Sequence, residues 1–500
     1  MKKFKALLAA VMAAAMAITM TGCDEESEPA NPSTPNAATN NSGETSQTVA
    51  DRKDMDDEAV NEAAKALKDK VSYPDLKITK RIKWLAWWSM DETAGESVLF
   101  KEVYGIPETG MNEEDEGHIF DNIYVDYGAR TDRLATLVAS DESPDMFPFE
   151  ILDFPYGVLM NRYESIDDIV DFNSEKWAGV KDLNEQFVLN GKHYTSFYGI
   201  TLADLMWYKK SNIEAIGAED PQKLFQEGKW DWDAMLELGR KWQKTGTDDD
   251  PKFLLDGYNF DDSIVTATGV PMVGNDGTKI VSNLRTSEVE RAITGVLATL
   301  AKENLRYPRH ELNSWNQNPS AWANDTTLFF CEGTWRYEED LQVFKRKFKW
   351  PDDEIKVVPF PKDPQADQYY IQIKCDCNML VKGSQNKEGV QAWLDCCITT
   401  SGDKTLAEAS KQKQIKNPKT GWTEELLDFL NPLYAIDGSS NLVPIIDFKK
   451  GLGPNVFNGN ADGPITALTA LVSLQGDSFV TLRDENESAI LKAIDDVNAK

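Results

Sequence analysis

The side chains best suited to chemistry in this 500-residue chain are aromatic. It holds 14 tryptophans. Trp87, Trp88, Trp315, Trp322 and Trp335 stand at strand ends or beside polar residues, as in Asn313-Ser314-Trp315-Asn316-Gln317-Asn318. An indole face stacks on the apolar C–H face of a sugar ring, and neighbouring Asp, Asn, Gln or Arg reach its hydroxyls. For any one of these tryptophans packing is an equal explanation; for the set, a ligand role is expected of some. Trp230 and Trp232 read instead as packing residues at a helix start. Catalytic signatures are missing from the sequence. It has no Gly-x-Ser-x-Gly elbow, no His-Glu-x-x-His helix, no Walker loop and no Gly-x-Gly-x-x-Gly. Three histidines leave little material for His-based acid–base work. With 83 acids, a carboxylate pair arises by chance and signals no glycosidase by itself. No catalytic residue, cofactor or metal is expected.

The elements that must position these aromatics read as α/β. Lys80-Arg81-Ile82-Lys83-Trp84-Leu85-Ala86-Trp87-Trp88 has the alternation of a strand, apolar on both faces from Trp84 onward. In open α/β sheets ligands sit outside the carboxyl ends of the strands, which is where Trp87 and Trp88 fall. Alternation sends them to opposite faces, one toward ligand and one inward. A strand at 123–125, a helix at 131–139, turn chemistry at 141–145 and an apolar return at 146–149 make a βαβ-type unit. Further strands are expected at 205–210, 327–331, 355–361 and 371–381. Helices are expected at 57–70, 96–103, 156–161, 230–242, 288–300, 386–399 and 487–497, with Asp231 as an N-cap.

Composition bounds the setting. The net charge is −30, which repels nucleic acid and argues against it as a partner. Met1-Lys2-Lys3-Phe4-Lys5 is a basic start, and residues 6–20 are an apolar run with one Thr, the form of an export signal. Met20-Thr21-Gly22-Cys23 resembles a bacterial lipobox, which makes Cys23 the lipidation site. Residues 24–50 are mostly Glu, Pro, Asn, Ser, Thr and Ala without aromatics, a composition that cannot order itself. This tether reaches about 30 Å as a random coil. The division expected is a signal peptide at 1–22, a tether at 23–56 and a leading helix at 57–77. The protein is expected to be held to the outer face of the cell membrane by lipid. Five further cysteines (Cys331, Cys375, Cys377, Cys396, Cys397) form no even framework and read mainly as small buried hydrophobes. A bridge between the 375/377 and 396/397 pairs stays open.

The order of elements resembles a known family. After the export signal and the Trp-Trp strand come "TDRLATLVASDESPDMFPFE", "NGKHYTSFYGITLADLMWYKKSNIEAIG" and "GKWDWDAMLELGRKW". Later come "FFCEGTWRY", "IKVVPFP" and "MLVKGSQNKEGVQAWLDCC". This is similar to the family 1 extracellular solute-binding proteins, carbohydrate receptors of ABC importers. The resemblance implies a two-lobed periplasmic-binding-protein-like α/β fold with a ligand cleft between lobes joined by a hinge. Lobe 1 would hold 78–199 plus about 369–429, and lobe 2 about 200–368 plus 430–500. It implies ligand contacts at Trp87, Trp88 and Ser89, at Phe149, Glu150 and Asp153, at Tyr198 and Thr201, and at Trp335 with Arg336. A monomer that captures an oligosaccharide and hands it to permease subunits is expected. A lipid-anchored glycoside hydrolase or lyase, and a sugar sensor without a permease, are the alternatives. The acidic insert at 111–117, the leading helix and the extra length depart from the family's pattern.

Overall fold

The computed structural model describes residues 57–111, 117–148, 153–257, 260–308, 319–372, 374–435, 440–457 and 463–499. Cys23, Phe149, Glu150, Trp315 and most of the acidic insert lie outside the described residues.

The chain lays down a sheet, crosses to a second, and returns. Strands β1 (Ile82–Ala86), β2 (Phe120–Tyr124) and β3 (Met146–Pro148) come first, followed by a small hairpin of β4 (Val188–Leu189) and β5 (Lys192–His193). Strand β6 (Thr195–Thr201) leads within four residues to β7 (Leu205–Lys209). Then come β8 (Phe253–Gly257), the hairpin β9 (Val273–Asn275) and β10 (Ile280–Ser282), β11 (Thr327–Cys331) and β12 (Ile355–Pro359). Strands β13 (Tyr369–Gln372), β14 (Lys374–Leu380) and β15 (Leu442–Ile445) follow.

One sheet has the order β2-β1-β3-β14-β6, the other β12-β7-β11-β8. β1 is parallel to β2 and β3, while β14 runs antiparallel between β3 and β6. Strands β1, β2, β3 and β6 therefore end on one side of the sheet. There Thr201, the last residue of β6, pairs with Lys374, the first of β14. In the second sheet Leu205, the first residue of β7, pairs with Pro359, the last of β12, on the side where β8 and β11 end. The crossings from β6 to β7 and from β12 to β14 thus leave both sheets at their carboxyl ends. Chain connectivity thus ties those two ends to each other.

Local sequence explains the pieces. β1 has Ile82, Trp84, Leu85 and Ala86 buried, as a strand apolar on both faces requires. Asp145, from the Pro-Asp turn, accepts from Lys83 N at 2.9 Å and Ser384 Oγ at 2.7 Å. Asn386 of the same Lys-Gly-Ser-x-Asn turn caps the helix Lys387–Thr400 at Gly389 N, and its amide donates to the carbonyls of Lys80 and Arg81. Two motifs more than 230 residues apart are thus one fastening for the start of β1 and β3. Trp393 of that helix meets Phe120 edge-on at 4.8 Å. On the second sheet Asp231 caps the helix Trp232–Gln243 by accepting from Ala234 N at 2.9 Å. Trp230 and Trp232 are buried, and Trp230 Nε1 donates to Pro359 O.

The structure departs from the sequence expectations in several places, and the helix expected at 487–497 spans Phe479–Asn498. The leading helix spans only Glu58–Lys65, followed by a 3-10 turn at Lys68–Lys70. The strand expected at 371–381 is two, β13 pairing with β15 and β14 with β3 and β6. The helix expected at 288–300 carries a π-turn at Ile293–Leu297. Helices at Lys404–Lys416, Glu424–Leu430 and Pro464–Gln475 went unread. Cys331, Cys377, Cys396 and Cys397 are buried thiols. Burial, reinforced by Asp395, pushes the Cys396 thiol well above its usual range.

Candidate functional site

At the carboxyl end of the five-stranded sheet the chain builds an aromatic cluster. Trp84 is buried in β1 and donates Nε1 to Trp88 O at 3.1 Å, which fixes the turn after the strand. Trp88 meets Trp84 edge-on at 5.7 Å and Trp87 at 4.5 Å. Trp87 in turn meets Tyr127 edge-on at 4.9 Å. The buried Arg130 guanidinium lies 3.7 Å over Tyr127 and 5.4 Å over Trp87, and donates to Tyr127 O. Cation–π contacts of this kind strengthen when desolvated, so Arg130 sets the angle of both rings. Trp88 is 39% exposed and Tyr124, at the end of β2, is 64% exposed. Tyr124 shares a hydrogen bond with Ser89. Trp87 is half-buried against its neighbours, so Trp88 is the tryptophan that offers its face to solvent.

Asp153 follows β3 but does not face outward. It is 1% exposed and accepts from Arg162 and from the Tyr163 hydroxyl. Burial pushes its carboxyl above the usual range, and Arg162 holds it down. Gly157 packs directly on this carboxylate, where a Cβ would lie 2.3 Å from it. Asp153 thus braces the loop from inside the protein, and its carboxylate is not open to a ligand.

At the crossing, β6 carries a bulge: Gly199 pairs with Asp376 and Phe197 with Cys377, leaving Tyr198 unmatched in the ladder. Bulges re-aim side chains. The Tyr198 hydroxyl accepts from Asn378 Nδ2 at 3.1 Å, and its carbonyl accepts from Ser401. Thr201 closes the same strand.

The second sheet supplies the segment after β11. Glu332 N donates to Leu205 O at 3.0 Å, Trp207 Nε1 to Glu332 O at 2.9 Å, and Thr334 N to Leu202 O at 3.3 Å. This segment therefore lies against the crossing strand. Trp335 lies on Gly333, where an added Cβ would meet the ring at 2.2 Å. A side chain at this position would push the ring away. Arg336 stands 2.7 Å from Asp340, 3.3 Å from Glu339 and 4.0 Å from buried Glu332. Burial raises the carboxyl groups of Glu339 and Asp340 above their usual range, and Arg336 opposes the shift. Tyr337 is buried between Trp207, stacked at 5.4 Å, and Trp422 at 4.4 Å, and donates to Gly421 O.

The structure gathers Trp87, Trp88 and Ser89 into one cluster, and Trp335 and Arg336 into another. It puts Tyr198 and Thr201 at the crossing. Tyr124, Tyr127, Arg130 and Asn378 join these groups without having been singled out in the sequence. Tyr124 follows the rule that picked out Trp87, since it ends the strand beside β1, whereas Tyr127 lies beyond that strand in a 3-10 turn. The described residues hold no group of three His, Cys, Asp or Glu that could bind a metal ion.

The model of the bacterial extracellular solute-binding protein family matches residues 114–412. Solved structures share the fold at low identity. The sugar-binding protein MalE from Xanthomonas citri is 15% identical, with a TM-score of 0.56 over 84% of this chain and 98% of its own. The GacH receptor of Streptomyces glaucescens, solved unliganded and with acarbose, is also 15% identical, with a TM-score of 0.55 over 84% of this chain and all of its own. The substrate-binding protein Lmo0181 from Listeria monocytogenes, solved with cycloalternan, is 14% identical, with a TM-score of 0.52 over 85% and 99%. No curated protein matches by sequence. The two-sheet architecture, the crossings and the family match over more than half its length agree: the chain is a two-lobed α/β protein and belongs to the bacterial extracellular solute-binding proteins.

Proposed function

We propose that this protein is an exported receptor, anchored by lipid at Cys23, that captures a carbohydrate between its lobes and delivers it to an ABC importer permease. The lobes are 78–199 with about 369–429, and about 200–368 with 430–500. The observation that carries the reading is the aromatic cluster of Trp87, Trp88, Tyr124 and Tyr127 at the end of the sheet from which both crossings leave. It offers flat apolar area, while Trp335 and Arg336 stand by the crossing on the other sheet. Hinge closure would bring such surfaces onto two sides of one ligand. Extended aromatic area suits an oligosaccharide better than a single ring. Two structural neighbours of the same fold were solved with acarbose and with cycloalternan, which supports the ligand class.

A thermal-shift screen over neutral mono- and oligosaccharides tests this. At a hundred times its dissociation constant the right sugar stabilises by about 2.7 kcal/mol. No shift with any carbohydrate sinks the proposal. The protein acts as a receptor and not as an enzyme, so the bound sugar is recovered uncut after long incubation.

A further inference from the structure

Far from the aromatic cluster, the second sheet's helix Gln342–Phe348 carries the most basic run of an acidic chain. Lys345, Arg346, Lys347 and Lys349 lie within five residues, around Phe348 and just before Trp350. Phe344 and Phe348, four residues apart, share one side of the helix with Lys347, while Arg346 lies on the other side and the left-handed turn at Lys349 leads on to Trp350. Phe344 stacks on Phe348 at 6.3 Å, and Phe348 on Trp350 at 5.4 Å. The row ends where Trp350 meets the buried Trp322 edge-on at 5.7 Å. Phe348 is 41% exposed and Val343 is exposed too. Phe344 and Trp350 are half-buried against the core, so Phe348 is the open ring of a stacked row and not an isolated exposed residue.

The charges around this row are unevenly matched. The two acids that follow the row in sequence are paired, Asp352 with Lys345 at 2.7 Å and Asp353 with Lys210 at 2.6 Å. Arg346, Lys347 and Lys349 are exposed and, among the described residues, form no ion pair. Lys347 lies 5.3 Å over the Phe348 ring, and Arg346 makes a single bond to Lys419 O. Aromatic rings flanked by unpaired cations make the surface that enters the headgroup layer of an anionic bilayer. The remainder of a chain of net charge −30 is repelled by the same headgroups. One attracted face on a repelled body fixes one orientation.

We propose that the face formed by Phe344, Phe348, Trp350, Lys347 and Lys349 docks this protein onto an anionic lipid membrane. The docking is separate from any anchor at Cys23: the tether would keep the body near the membrane, and this face would set which way it sits.

The test uses the full chain with vesicles of phosphatidylcholine alone or phosphatidylcholine with phosphatidylglycerol, read by amide hydrogen exchange. Exchange across 343–350 slows on the anionic vesicles, not on the neutral ones, and the protection is lost at high salt. Helix Gly95–Tyr104 serves as the unaffected reference. The Lys347→Glu/Lys349→Glu variant, at two exposed sites, loses the protection while its helix Gly95–Tyr104 exchanges as in the unmodified protein, and Phe348→Ser weakens it. Equal exchange on both vesicle types, protection that survives the double charge reversal, or protection seen only with a partner protein overturns the proposal. The comparison between vesicle types does not depend on lipidation, so a missing Cys23 anchor leaves its outcome readable.

Discussion

At the carboxyl end of the five-stranded sheet, aromatic faces stand open to solvent and one buried cation is spread over two rings. At the same end of the four-stranded sheet, the tryptophan lies on a glycine and the cation is shared by three carboxylates. The first arrangement has apolar area to lose to a ligand, and little of its own stability depends on that area. The second has its charges paired already, so it is costly to disturb. Substitutions in the first cluster should therefore read out in binding, and substitutions in the second in folding.

The largest effect expected is on the second cluster. Arg336→Leu leaves Glu332, Glu339 and Asp340 without the cation they share. Removing one partner of a buried pair costs several kcal/mol. Arg336 is partly solvated and so are two of its partners, which lowers the expectation to about 2 kcal/mol. Urea denaturation should show the midpoint falling with the slope unchanged. Restoring balance with Glu339→Gln and Asp340→Asn in the same chain should recover part of the loss. A midpoint that does not move would mean that the carboxylates are relieved by water and that the two clusters do not differ in this way.

Trp88→Ala should show the converse. The ring is well exposed, so the unliganded midpoint should hardly change. Truncating an aromatic anchor at a binding surface costs about 2 kcal/mol or more, roughly thirtyfold in dissociation constant. Titration with the sugar found by thermal shift would measure it. If the variant binds normally, Trp88 is a surface ring and the ligand lies elsewhere. If it unfolds, the ring was part of the core.

The unequal legibility of these clusters in the sequence has physical causes. β1 and its tryptophans could be read because alternation and strand-end position are local properties. Trp335 could be read because its Gly-x-Trp follows an apolar strand. Tyr127 and Arg130 were missed because their role depends on β2 lying beside β1, which is a pairing across some forty residues. Asn378 reaches Tyr198 across 180 residues, through a bulge that no local pattern announces. The ligand contact at Asp153 is implied by the family resemblance of its loop and not by any local pattern of the sequence. The burial of Asp153 is set by Arg162, Tyr163 and the close approach of Gly157. The helix Lys404–Lys416 went unread because it buries only Leu406 and so carries little apolar periodicity.

The smallest effect expected sharpens the contrast through pH. Burial raises the Glu339 and Asp340 carboxyls in the folded protein, and Arg336 only partly opposes it. In the window from the ordinary carboxylate range up to the raised values, the folded state holds more protons than the unfolded one. Stability from this pair is therefore fully present at low pH and is lost as pH rises through the folded values. Other acids act in the opposite sense: Asp57, Glu164, Asp167 and Asp403 are lowered in the folded state, and their stabilisation is lost on acidification. The pair must therefore be isolated by difference. Relative to Glu339→Gln/Asp340→Asn, the unmodified protein should gain stability between neutral pH and the ordinary carboxylate range. The gain should stay below about 1 kcal/mol, because the Glu339 side chain is 45% exposed and solvent screens it. The same difference taken in an Arg336→Leu background should grow, since the opposing cation is gone. A difference that is flat with pH in both backgrounds would show that these carboxylates titrate as solvated groups, and the second cluster would then be no more tightly built than the first.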